Sequence, residues 1–300
     1  MKLLNQIITT LGEPISNHMK NFLYALLASG IFYSCKSNTN QTAKDTSSAR
    51  DSKQTQALIR QFKPIIQGVW IEKNYIEKVI KTRSPLAAAD EIKGNTILYI
   101  NTDHLKGDSL IIPAGDNHEG TQFTVKFHPG KSSGSIKISE GGELGYSIKK
   151  GDTILLLSFF DDQQKKMITT KFIKALNKQP DDDLGYGMNY MINKGLIAGN
   201  YTLTDSIGNI SRVRFNNDGT VSGFLNFIKY NINIDLNEEP MDNLDEIYFS
   251  DLKNDRNGAL NDDYSFKFSA DTLNLYSTKP NSDSTKSVLD KLKYKLIKQK

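Results

Sequence analysis

Short runs rich in β-branched, aliphatic and aromatic residues, some of them alternating apolar with polar, recur along most of this chain, and they restrict its fold more than any other feature. Ile97-Leu98-Tyr99-Ile100, Ser109-Leu110-Ile111-Ile112, Phe123-Thr124-Val125-Lys126-Phe127, Ser135-Ile136-Lys137-Ile138 and Thr153 to Phe159 are separated by Gly, Asp, Asn and Pro. A period of two puts alternate side chains on opposite faces, so these runs predict strands of a mainly antiparallel sheet buried on one face. The pattern runs to Lys171-Phe172-Ile173-Lys174, stops, and resumes at Gly199-Asn200-Tyr201-Thr202-Leu203. Asn217-Asp218-Gly219 there supplies the chemistry of a tight hairpin.

Between the two stretches, Pro180, Asp181-Asp182-Asp183, Gly185 and Gly187 break the period. Residues 177–194 therefore read as a linker between a first β domain, 57–176, and a second, 195–300. The halves look like a diverged repeat. Gly68-Val69-Trp70 matches Gly199-Asn200-Tyr201, and FHPGKSSG from Phe127 matches FNNDGTVSG from Phe215. Tyr146-Ser147-Ile148-Lys149 matches Tyr264-Ser265-Phe266-Lys267, and Lys171-Phe172-Ile173-Lys174 matches Lys293-Tyr294-Lys295-Leu296.

A strand opening on Gly-x-Trp or Gly-x-Tyr, then successive strands and a closing Lys-rich strand, resembles the short lipocalin-like domains found in bacterial lipoproteins. GNYTLTD, FNNDGTVSG, YSFKFSADTLNLYS and KLKYKLIK carry the resemblance best. It implies an all-β chain of two tandem antiparallel lipocalin-like β-barrels; one larger barrel or sandwich shared between the halves is the alternative. The resemblance also implies that the opening aromatics, Trp70 and Tyr201, close one end of each barrel, by packing or by touching a ligand.

The N-terminal region has a different character. Lys20 precedes the apolar run Phe22 to Phe32, too short to span a bilayer, and Ala28, Ser29, Gly30 and Ser34 are small. Residues 1–34 read as a signal peptide, with Met19 a candidate start. Phe32-Tyr33-Ser34-Cys35 resembles a bacterial lipoprotein signal, with Tyr33 and Phe32 departing from its commonest form, and implies lipid attachment at Cys35. Residues 35–56 are Ser, Thr, Asn, Gln, Lys and Asp with almost nothing apolar, the composition of a flexible tether. Ala57 to Ile66 is an amphipathic run of a helical turn or two ending near Pro64. Cys35 is the only cysteine, so no disulfide supports the body, whose core must suffice.

With 38% hydrophobic and 24% charged residues the composition is that of a globular domain. A net charge of +4 over 300 residues is near balance and gives no support to a nucleic-acid partner. Walker and G-x-G-x-x-G motifs are absent from the sequence, and no enzymatic reaction is expected. Asp251 to Asp263 has the polarity of a calcium loop, but placing Gly258 sixth puts Lys253 first and Tyr264 twelfth, where carboxylates are needed. No metal or cofactor is expected.

The candidate ligand-binding residues are Trp70 and Tyr201, the polar cluster Asn117, His118 and Glu119, and Lys81 in Tyr75 to Leu86, an insertion of the first half that suits a lid at a barrel mouth. These features lead to a lipid-anchored envelope protein, at the outer membrane, binding a small apolar or amphipathic ligand inside a barrel. The alternative is a structural or interaction component of an envelope complex.

Overall fold

A computed structural model describes residues 40–115, 119–180, 183–204, 208–236, 243–251 and 262–299. Cys35, Asn117 and His118 lie outside the described residues. The chain divides into 1–51 and a body, 52–300.

Helix α1, Asn40–Ile66, leads into the body and includes Pro64. It covers 40–56, where composition predicts a tether. The positions from Arg50 to Gln54 are exposed, whereas Phe62 and Ile66 are buried in the first barrel. An anchored C-terminal turn removes the nucleation cost that an isolated polar helix would face, and the helix propagates outward from it.

The first eight strands are β1 Gly68–Glu72, β2 Ile97–Ile100, β3 Ser109–Gly115, β4 Gly120–Pro129, β5 Ser135–Ile138, β6 Glu143–Lys149, β7 Asp152–Asp161 and β8 Lys166–Leu176. They pair antiparallel in chain order, and β8 returns to β1, closing the barrel. The second eight are β9 Gly199–Thr204, β10 Ile210–Phe215, β11 Val221–Ser222, β12 Phe227–Ile232, β13 Glu246–Asp251, β14 Asp262–Ser269, β15 Thr272–Pro280 and β16 Ser287–Lys298. They repeat the order, with β16 against β9; a single bridge, Thr220 to Lys229, spans the gap between β11 and β12. The fold is all-β, with two separate antiparallel eight-stranded barrels, one closed and one nearly closed, and not one larger barrel or sandwich.

The ladders revise the repeat alignment. Trp70 pairs with Lys174 and Tyr201 with Lys298, so Lys171-Phe172-Ile173-Lys174 corresponds to Lys295-Leu296-Ile297-Lys298, two residues from the expected register. Tyr146 likewise corresponds to Phe266, because the turns Lys149–Asp152 and Ser269–Thr272 are equivalent. FHPGKSSG belongs to the β4–β5 corner and FNNDGTVSG to β10–β11, so that pair is not equivalent. Gly, Ser and Asn mark any hairpin and do not say which one.

Both interiors are occupied by the chain's own side chains. In the first barrel Trp70, Phe127 and Phe172 pack with Leu98, Leu110 and Leu155. The second is an aromatic cluster: Phe215 meets Tyr201, Phe224 and Tyr230 at ring-centroid distances of 5.4, 6.3 and 5.1 Å, and Phe249 stacks on Phe227 at 5.2 Å. Such edge-on and offset contacts add to area burial.

The segment expected to be a linker is largely helix α3, Tyr186–Leu196, with Met188, Ile192 and Leu196 buried. A Cβ at Gly187 would stand 2.3 Å from Val69 Cγ1, so glycine lets the helix lie against the outside of β1. The insertion after β1 contains helix α2, Lys73–Thr82, whose N-terminus is capped by the Glu72 carboxylate. It ends on the second barrel. Arg83 donates to the Ala270 carbonyl, its guanidinium lies 5.4 Å from the Phe268 ring, and the Leu86 N–H donates to the Asp245 carboxylate at 2.9 Å. Val69, Ile71, Tyr75 and Val79 thereby join one apolar cluster with the interior of the second barrel.

Candidate functional site

Each barrel is closed at one end by the helix that enters it, and both closures use the same device. The helix stops, a glycine at positive φ turns the chain (Gly68 +129°, Gly199 +148°), and an aromatic two residues on reaches back. Trp70 Nε1–H donates to the Ile66 carbonyl at 2.7 Å, and the Tyr201 hydroxyl to the Ile197 carbonyl at 2.6 Å. A lysine of the last strand lies over each ring, Lys174 at 4.8 Å and Lys298 at 5.7 Å. Burial lowers the pKa of both amines and raises that of the Tyr201 hydroxyl. Both aromatics are buried, with exposures of 0% and 1%.

Aligning Gly68 with Gly199 places the two plugs side by side, and they differ in chemistry. In the first, Leu58, Ile59 and Phe62 face the barrel. At the corresponding places the second has Asn189, Tyr190 and Asn193. Asn193 is 2% exposed. Its amide donates to the Asn217 carbonyl at 3.2 Å, which fixes its orientation and leaves Oδ1 without a hydrogen-bond partner among the described residues. Asn189 Oδ1 is in the same condition.

A similar divergence appears beside the plugs. In the first barrel Gln67 Oε1 accepts from the Thr102 N–H and hydroxyl, both at 2.7 Å, and Lys63 pairs with Asp103 at 3.6 Å. Side chains thus cross the space between helix and β2–β3 connection. In the second barrel Ala198 replaces Gln67, and Lys194, in the place of Lys63, has no ion partner among the described residues. The space stays open as a groove of about 580 Å³ lined by Tyr190, Lys194, Ala198, Asn200, Arg214 and Asn216. An adjoining cavity of about 100 Å³ reaches Asn189 and Asn193.

The far wall of the groove is held by hydrogen bonds. Asp218 Oδ1 accepts from the Thr220 N–H at 3.0 Å and hydroxyl at 2.7 Å, Asn216 Oδ1 accepts from Arg214 Nε at 3.0 Å, and the Tyr230 hydroxyl donates to the Asn216 carbonyl at 2.7 Å. The sequence-predicted turn at Asn217-Asp218-Gly219 forms here, at the β10–β11 hairpin.

The other expected site residues are dispersed. Trp70 and Tyr201 sit in different barrels. Lys81 is exposed in the last turn of α2, and Glu119 is exposed beside β4. Sequence reasoning missed Asn189, Tyr190, Asn193 and Lys194. Extending the Gly68–Gly199 match upstream into Phe62-Lys63 and Asn193-Lys194 carries the signal that finds them.

Among the described residues no group of three His, Cys, Asp or Glu side chains is placed to hold a metal ion, and no helix is long and apolar enough to cross a membrane. No protein-family model matches the chain, and no curated protein is significantly similar to it.

Proposed function

We propose that this chain is a lipid-anchored binding module of the cell envelope, and that its ligand sits in the groove between α3 and the β10–β11 hairpin. One observation carries this reading: the second plug holds a buried Asn193 oxygen with no hydrogen-bond partner among the described residues, and an open groove where the first holds Phe62 and a bridging Gln67. An unsatisfied buried amide oxygen costs about 1–3 kcal/mol, so stability alone would favour the apolar plug. The side chains filling both interiors make the end of a barrel a better site than its lumen. Cys35 supplies the anchor in this reading, and the barrels provide a stiff frame.

Soaking crystals with a panel of small polar fragments (sugars, amino acids, dicarboxylates, nucleosides) tests the site. Fragments should collect against Asn193 and Lys194, and a groove that takes none of them removes the reading. Fatty-acid labelling that persists in Cys35→Ser would dismiss the anchor.

A second reading rests on the β7–β8 hairpin, where Phe160, Met167 and Ile168 are 50%, 44% and 37% exposed. Such apolar exposure suits contact with an envelope protein. In that case Phe160→Asp weakens co-purification of a partner while groove substitutions do not.

A further inference from the structure

Within the groove reading, the geometry points to a saccharide bearing a carboxylate as the ligand class. The argument starts from the side-chain inventory. Amides dominate the walls: Asn189, Asn193, Asn200, Asn216, Asn217 and Asn231 line the groove and its adjoining cavity. An amide both donates and accepts, and a sugar hydroxyl does the same, so a dense set of hydroxyls satisfies such a wall with few mismatches. A simple anion offers acceptors only. It would leave Asn193 Oδ1 unpaired, because that oxygen requires a donor and its own amide nitrogen is already committed to the Asn217 carbonyl.

The ring of Tyr190 lines both compartments, with its hydroxyl 3.4 Å from Asn217 Nδ2. It presents an apolar face beside polar groups, the combination that a sugar ring needs, since its C–H face is apolar and its edge is hydroxylated. Charge supplies the last element. Lys194 and Arg214 both line the open part, against a single carboxylate, Asp218, whose Oδ1 is already taken up by Thr220. The guanidinium keeps donors free beyond the Nε bond to Asn216, and a planar donor fork suits a carboxylate. A sugar acid therefore places its hydroxyls toward Asn193 and its carboxylate toward Lys194 and Arg214.

The first barrel serves as an internal control. Its corresponding lysine is paired with Asp103, and its corresponding space is crossed by Gln67.

Titration of the full chain with digalacturonic acid, a neutral disaccharide, glutamate and citrate, read by calorimetry and by amide chemical shifts, tests the assignment. Digalacturonic acid should bind at least tenfold tighter than the neutral sugar, weaken with salt, and shift the Asn193, Lys194 and Asn217 amides. Lys194→Ala should abolish the preference for the acidic sugar, and Lys63→Ala should leave it intact. Asn193→Leu should reduce affinity at least tenfold without lowering Tm. Ala198→Gln, which copies Gln67, should block binding and leaves α3 untouched should Asn193→Leu fold poorly.

Equal affinity for acidic and neutral sugars overturns the carboxylate assignment. Binding of glutamate or citrate in the groove, with no sugar bound, overturns the saccharide class and leaves the groove as a ligand site. Shifts located elsewhere, or none with any probe, overturn both.

Discussion

The two plugged ends are built on one plan and finished in opposite ways. Both use a helix, a glycine at positive φ, an aromatic donor and a covering lysine. The first is completed by apolar side chains and a Gln67–Thr102 bridge; the second keeps Asn189 and Asn193 and leaves its flank open. Closing the barrel is thus the shared structural task, met by the aromatic lock. The residues one helical turn earlier are then free to differ, and their difference separates a structural end from a candidate binding end.

The strongest way to break this comparison is to exchange the plugs. Phe62→Asn should destabilise the first barrel by about 3–5 kcal/mol, the range for losing a buried phenylalanine, whereas the reverse exchange of an asparagine for an apolar residue at position 193 should not lower stability. Chemical denaturation followed by Trp70 fluorescence, a reporter confined to the first barrel, measures the former.

Next come the two glycines. Both positive-φ positions strain any other residue by about 1–3 kcal/mol. A Cβ at Gly68 would also stand 2.4 Å from the Leu176 carbonyl oxygen, which is backbone, while at Gly199 it would stand 2.8 Å from Lys298 Cε, which can swing away. Gly68→Ala should therefore lower Tm more than Gly199→Ala, and equal losses would show that the two turns are equally rigid.

Acid gives an effect that bears on the first barrel. Burial alone would raise the pKa of the Glu143 carboxylate, but the N–H groups of Lys131 and Ser132 and the Ser135 hydroxyl donate to it and hold it at about 2. Because the folded value is depressed, the stabilisation is present above the ordinary value of 4.5 and is lost as pH falls toward 2. Glu143→Gln should remove this pH dependence, seen as a flatter profile of unfolding midpoint between pH 5 and pH 2.

The smallest effect concerns the lock itself. Tyr201→Phe deletes the hydrogen bond to the Ile197 carbonyl while keeping the ring, a loss of about 1 kcal/mol. Trp70→Phe loses the bond to Ile66 together with indole volume and should lose more; identical losses would show that the bond, not the ring, dominates at both ends.

Much of the fold is legible in the residues. β4 alternates as its sequence does, with Phe123, Val125 and Phe127 facing inward; β3 alternates in burial although its sequence does not, with Leu110 and Ile112 inward and the apolar Ile111 between them exposed. The opening Gly-x-Trp and Gly-x-Tyr mark the first strand of each barrel. A contrast between those strands was also present: Val69-Trp70-Ile71 is an unbroken apolar run, whereas Asn200-Tyr201-Thr202-Leu203 alternates. The first is buried on both faces, Trp70 inside its barrel and Val69 and Ile71 in the cluster shared with the second; the second strand is buried on one. The helical plugs were harder to see. Glycines and an acidic run conceal α3, because Gly187 and Gly195 weaken local helix propensity while permitting close contact with Val69 and Ile80.

By itself, the sequence determined the β character, the number of halves and the aromatic that opens each, since side-chain period and turn chemistry act over a few residues. Only the tertiary structure decided that a polar stretch at Asn189 to Lys194 plugs a barrel, that Asn193 is buried with an oxygen to spare, and that the insertion after β1 holds the second barrel. Burial is conferred by residues far along the chain: Asn217, Gly219 and Tyr230 enclose Asn193, and Asp245 and Ala270 receive the insertion. No local pattern contains that information, because the cost of an unpaired amide depends on what closes around it.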